Sequence, residues 1–158
     1  MKSIHGGDIY NNKVNMDFSV NINPLGIPHS VKEAMSDALS YEDRYPDMAC
    51  SGLKKAISEY FTQQGCSIQS EDVIPGNGAS ELFMAIAHAI KPQKAVLLAP
   101  GFFGYEHVLR AVGCDIGYFL LDEQSDFSPA ARLDALMDML TDDTDIFFIA
   151  RSEERRVG

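Results

Sequence analysis

The chain has 158 residues, 46% of them hydrophobic and 23% charged, enough for one domain with a core of its own. Its formal net charge is −10, and no basic stripe precedes the last eight residues, which argues against a nucleic-acid partner. Three well-separated cysteines (Cys50, Cys66 and Cys114) with no C-x-x-C spacing give no basis for a disulfide framework or a zinc site, and fit a reducing cytoplasm.

The first thirty residues read as an arm outside any sheet. They begin "MKSIHGGDIY", without the apolar stretch of a signal peptide, and continue through Gly-, Asn- and Pro-rich "NINPLGIP". After Pro28, apolar residues at Val31, Ala34, Met35, Ala38 and Leu39 have the i, i+3, i+4, i+7, i+8 spacing of a helix with one buried stripe. The same spacing recurs at Leu53, Ala56, Ile57, Tyr60 and Phe61, where Gly65 can close the helix. It recurs again at Leu82, Ala85, Ile86, Ala89 and Ile90. Weaker helical patterns cover 105–112 and 130–140. Short apolar runs at 73–74, 95–98, 116–121 and 146–149 read as buried strands. None is long enough to cross a bilayer. Strand alternating with helix predicts an α/β fold with a mostly parallel sheet and crossover helices.

The strongest chemical signal is "VIPGNGASELF". A strand ending at Pro75, a Gly76-Asn77-Gly78 turn and a helix starting near Ala79-Ser80 would present free N–H groups and partial positive charge to an anion. The competing reading is a plain capped helix, with Asn77 or Ser80 as the cap. The segment is neither a Walker loop nor a G-x-G-x-x-G fingerprint. Tyr105 follows a second strand end, so it can share a pocket with Gly78 beyond the carboxyl edge of the sheet, or simply pack on the sheet. Tyr45, in "RYPD", stands in a turn between helices with its hydroxyl free to reach outward, or is a plain surface residue. The four histidines (His5, His29, His88 and His107) have no metal-binding spacing.

In order, "HGGD", "DFSVNINPLGIP", "RYPD", "VIPGNGASELF" and "APGFFGYEHV" resemble the N-terminal part of fold-type I pyridoxal-phosphate enzymes of the class I/II aminotransferase group. The nearest branches are threonine-phosphate decarboxylase and histidinol-phosphate aminotransferase. The resemblance implies pyridoxal 5′-phosphate as cofactor, its phosphate on Gly78, Ala79 and Ser80 and its ring stacked on Tyr105. It implies a homodimer in which Tyr45 reaches the other subunit's phosphate. It also implies that His5, Gly6 and Asn21 help bind an amino acid or amino-acid phosphate. Ile22 stands where histidinol-phosphate aminotransferases more usually carry Glu, which favours the decarboxylase branch.

The family's cofactor-binding lysine, its ring-nitrogen Asp and its carboxylate-binding Arg lie farther along than this chain reaches, so no catalytic residue is assigned. By itself the chain is expected to be inactive. The expected division is an arm at 1–30, a partial cofactor-binding domain with its leading helices at 31–150, and a tail at 151–158. The tail, "RSEERRVG", stands directly after "DIFFIA", where the family has an Asn-Pro-rich turn. It reads as non-native, against the competing reading of a natural charged tail. Two readings from other classes remain: a small α/β module that binds free phosphate, and an inert fragment.

Overall fold

Pro28 stands at the N-cap of the first helix, and in the computed structural model its carbonyl accepts from Val31 and Lys32 at 3.1 and 3.2 Å. The structure describes residues 7, 9–11, 13, 15–41 and 43–150. His5, Gly6 and the 151–158 tail therefore lie outside the described residues. By compactness the chain divides into two units, Met1–Val73 and Ile74–Gly158. The arm and the leading helices thus fall in one unit, whereas the sequence reading groups those helices with the sheet.

In the first unit, the described arm residues are held by local turns. The Gly7 N–H donates to Ser19 Oγ at 2.8 Å, and the Asn23 side chain bridges the Leu25 N–H and the Gly26 carbonyl, each at 3.0 Å. Helix α1 spans His29–Ala38 and α2 spans Ser51–Gln63. The Asp47 carboxylate organises the entry to α2, accepting from the Ser51 N–H at 2.7 Å and the Ala49 N–H at 3.0 Å. Those two bonds hold its carboxyl below the usual carboxylate range. Gly65 does close α2, at φ +85°: its N–H reaches the Thr62 carbonyl at 3.0 Å and the Cys66 N–H reaches that of Phe61 at 2.9 Å, a Schellman stop.

The apolar stripes on α1 and α2 form as spaced, but none of their residues is buried; Ser58 is the only buried residue described in this unit. Residues 73–74 are not a strand. Val73 ends a 3₁₀ turn at Ser70–Asp72, and Ile74 is 78% exposed. A two-residue run between that capped turn and Pro75, which has no N–H, cannot sustain a ladder.

The second unit carries the sheet. Its elements are α3 (Ala79–Ile90), β1 (Lys94–Ala99), α4 (Phe103–Ala111), β2 (Asp115–Leu120), α5 (Leu133–Met139) and β3 (Ile146–Phe148). Among the described residues the strands pair in the order β2-β1-β3, all parallel, with Leu97 opposite Tyr118 on one side and Phe148 on the other. Strand alternation then sorts the core into two layers. Ala95 and Leu97 face α3 and α4, joining Ala87, Val108, Leu109 and Cys114. Val96 faces the other way, toward Phe119 and Leu136 of α5.

One expectation reverses. The stripe Leu82, Ala85, Ile86 and Ala89 does not face the sheet; with Ile74 it lines an open apolar groove of about 360 Å³. The helix packs Ala87, which is buried, and the half-buried Phe83 and Met84 against the core instead. Because α3 is apolar on both sides, periodicity establishes the helix without choosing which side the sheet takes.

Candidate functional site at the carboxyl end of the sheet

Helix α3 ends only three residues before β1 begins, and β1 ends three residues before α4 begins. Helix and strand are of similar length, so the α3 N-terminus returns to the end of the sheet where β1 exits and α4 starts. The turn at Gly78 and the first turn of α4, with Tyr105, therefore share the carboxyl end of β1. Phe83, one turn into α3, fixes the approach: its ring lies edge-on to Tyr105, with centroids 4.9 Å apart.

Gly78, not Asn77 or Ser80, occupies the N-cap, and no side chain caps the helix. Its φ of +84° is one that a side chain would strain, and the space where a Cβ would stand is open. The Gly78 N–H is taken by the Gly76 carbonyl at 2.9 Å. The Asn77 N–H donates to the Glu81 carboxylate. Among the described residues, the Ala79 and Ser80 N–H groups have no acceptor, and both residues are exposed. An exposed pair of free amides at a helix N-terminus, behind a glycine, is suited to an anion.

Tyr105 is half-buried in an aromatic group that the sequence reading does not identify. Phe148 lies flat against it, with centroids 4.5 Å apart and planes 11° from parallel, and Phe102 stands edge-on at 5.3 Å. The sequence shows Phe148 only as one of two consecutive strand phenylalanines, and only the register assigns it to the α4 side. Around this group is a cavity of about 60 Å³ lined by Leu98, Pro100, Gly101, Phe102, Tyr105, Leu121, Phe148 and Ala150. It sits beyond the carboxyl ends of β1 and β3, the usual ligand position in such folds. Gly78, Ala79 and Ser80 are not among its lining residues.

Beside Tyr105, Glu106 accepts from Arg110 Nε at 2.7 Å, and Arg110 also reaches the Tyr118 hydroxyl at 3.2 Å. The guanidinium holds the Glu106 carboxyl below its ordinary range. At the opposite end of the sheet, Lys94 Nζ bonds Thr141 and Asp143, each at 2.8 Å, and Lys91 ends α3. Neither lysine is near the cavity. Burial raises the Cys114 thiol above its ordinary value. In the first unit, Tyr45 is 86% exposed and Asn21 is also exposed. Among the described residues there is no metal-binding cluster, and no helix is long and apolar enough to cross a membrane.

This architecture is that of a fold-type I aminotransferase large domain, in part. A Thermus thermophilus aspartate aminotransferase double mutant superposes with a TM-score of 0.67 over 77% of this chain and 33% of its own, at 22% identity. The sequence profile of aminotransferase class I and II matches residues 13–151, and the chain belongs to that family of pyridoxal-phosphate-dependent enzymes. Threonine-phosphate decarboxylase of Salmonella typhimurium is 35% identical over 134 residues, which cover 85% of this chain and 35% of that protein. Histidinol-phosphate aminotransferase 2 of Nitrosospira multiformis is 32% identical over 136 residues, 82% of this chain and 31% of its own. The chain thus spans about a third of the length of these curated relatives.

Proposed function

We propose that this chain forms the phosphate- and ring-holding part of a pyridoxal 5′-phosphate site, in an enzyme that acts on an amino-acid phosphate. Threonine-phosphate decarboxylation is the leading activity and histidinol-phosphate amino transfer the second. The observation that carries the reading is the pair of free amides at Ala79 and Ser80, at the same end of the sheet as Tyr105. The fit is chemical as well as positional. The open space at Gly78 admits a phosphate, the two amides supply its donors, and Tyr105 offers an aromatic surface for a planar ring.

When bound, such a cofactor withdraws electrons from the α-carbon of an attached amino acid. The residues of this chain bind and orient: the α3 N-terminus anchors the phosphate, and Tyr105, backed by Phe148, sets the plane of the ring. Tyr45 serves a partner subunit's phosphate in a cytoplasmic homodimer, and His5, Gly6 and Asn21 serve the substrate. Lys91 and Lys94 stand at the wrong end of the sheet to hold the cofactor covalently. On this reading the 158-residue chain turns over no substrate by itself.

Titration with pyridoxamine 5′-phosphate, followed by amide NMR, tests the reading. Shifts centred on Ala79 and Ser80 are expected, with pyridoxamine lacking the phosphate giving none. Equal response to both compounds, or no response at these amides, overturns it. Inorganic phosphate binding as tightly as pyridoxamine 5′-phosphate would favour the free-phosphate module instead. In the longer polypeptide that carries this segment, release of CO₂ from threonine phosphate, rather than amino transfer, identifies the decarboxylase.

A further inference from the structure

Glu81 occupies an unusual place at the head of α3. As the third residue of the helix it would, in an ordinary capping box, reach back to the N–H of the N-cap residue. Here that N–H belongs to Gly78 and is already bonded to the Gly76 carbonyl at 2.9 Å. The Glu81 carboxylate reaches one residue farther and accepts from the Asn77 N–H. Both amides ahead of the helix are thereby consumed inside the turn, and the two that follow, Ala79 and Ser80, stay free.

Packing points the same way. A Cβ on Gly76 would come within 2.7 Å of Leu82 Cδ2 and 3.2 Å of Glu81 Oε2, so the first turn of the helix folds closely over the Gly76 backbone. A carboxylate is also an odd neighbour for an anion site, since its charge opposes the ligand at short range. Its presence is explained if its value lies in the shape it imposes on the turn.

We propose that Glu81 is a positioning residue that latches the Gly76-Asn77-Gly78 turn and so keeps the Ala79 and Ser80 amides aimed at a phosphate group. The proposal rests on the phosphate reading above and adds a residue to it. It predicts that the side-chain oxygen matters and the negative charge does not.

The test compares Glu81→Ala and Glu81→Gln in the full 158-residue chain, with pyridoxamine 5′-phosphate as probe. In Glu81→Ala, hydrogen exchange at the Asn77 amide should accelerate roughly tenfold, and affinity should fall by about the same factor, the effect of one hydrogen bond. Glu81→Gln keeps an acceptor oxygen, so it should retain Asn77 protection and bind at least as tightly as the unaltered chain. A general loss of helix-end charge would affect both variants alike, which separates the latch from a helix-dipole contribution. Unchanged or tighter binding by Glu81→Ala, with the Ala79 and Ser80 amides of the unaltered chain still responding, overturns the latch and leaves the phosphate reading standing. No response at those amides in the unaltered chain overturns the phosphate reading, and the latch falls with it.

Discussion

Tyr105 shows how a single side chain is placed by its neighbours. The Phe148 ring covers one face, and Phe83 and Phe102 abut it edge-on, geometries that aromatic quadrupoles favour. The residue after it is fixed by charge. Glu106 is held by Arg110 one turn along α4, and the pair reaches Tyr118 on β2, tying helix to strand. Because this partnership lowers the folded-state pKa of Glu106, its stabilisation is fully present above the ordinary carboxylate range and is lost as pH falls through the lowered value. Both side chains are partly solvated, so the effect is small and salt-screened. Urea unfolding of the chain and of Glu106→Gln should accordingly differ at neutral pH, converge on acidification, and converge at neutral pH in molar salt. A difference that grows as pH falls would show that the pair does not act this way.

Helix α3 separates what the sequence makes legible from what it leaves open. Among the described residues, the five expected α-helices and three of the four expected strands follow from spacing, since one-faced periodicity and short apolar runs report local structure directly. The side that α3 turns to the sheet does not follow, because Phe83, Met84 and Ala87 compete with Leu82, Ile86 and Ala89 on equal hydrophobic terms. The loss of the 73–74 strand has a related cause: a strand is a property of its partner, and no neighbour pairs with it among the described residues. The glycine turn and Tyr105 were visible as motifs, while the Phe148 stack and the Glu81 latch depend on register and on a side-chain direction that no spacing encodes. A paired substitution tests the orientation of α3. Ala87→Glu places a charge where the residue is 0% exposed and should cost more than about 3 kcal/mol. Ile86→Glu, one position away and 42% exposed, should stay within about 1 kcal/mol and reduce binding of an apolar dye. Equal destabilisation by the two in urea titrations would mean that both faces are covered in solution.

At the scale of the whole molecule, stability is unevenly shared. Every buried hydrophobic residue described belongs to Ile74–Gly158, where two layers sandwich β1 and a parallel ladder ties it on both sides. Met1–Val73 contributes helices whose apolar stripes remain open to solvent, closed by turns and caps. Local opening is least costly where few apolar contacts are buried and backbone bonds face water, so the two units should not exchange their amide protons alike. Native-state hydrogen exchange should find the slowest amides at Val96, Leu97 and Leu109, close to the global unfolding limit. Those of α1 should exchange fastest among the helices, and those of α2 should follow it well before the sheet. The order has a functional consequence under the proposed reading. The phosphate turn rides on a helix anchored to the stable sheet, whereas Tyr45 and Asn21 belong to a segment free to settle against a partner subunit. Protection in α2 equal to that in β1 would contradict this division. It would mean that the helical stripes of the first unit are already covered in the isolated chain.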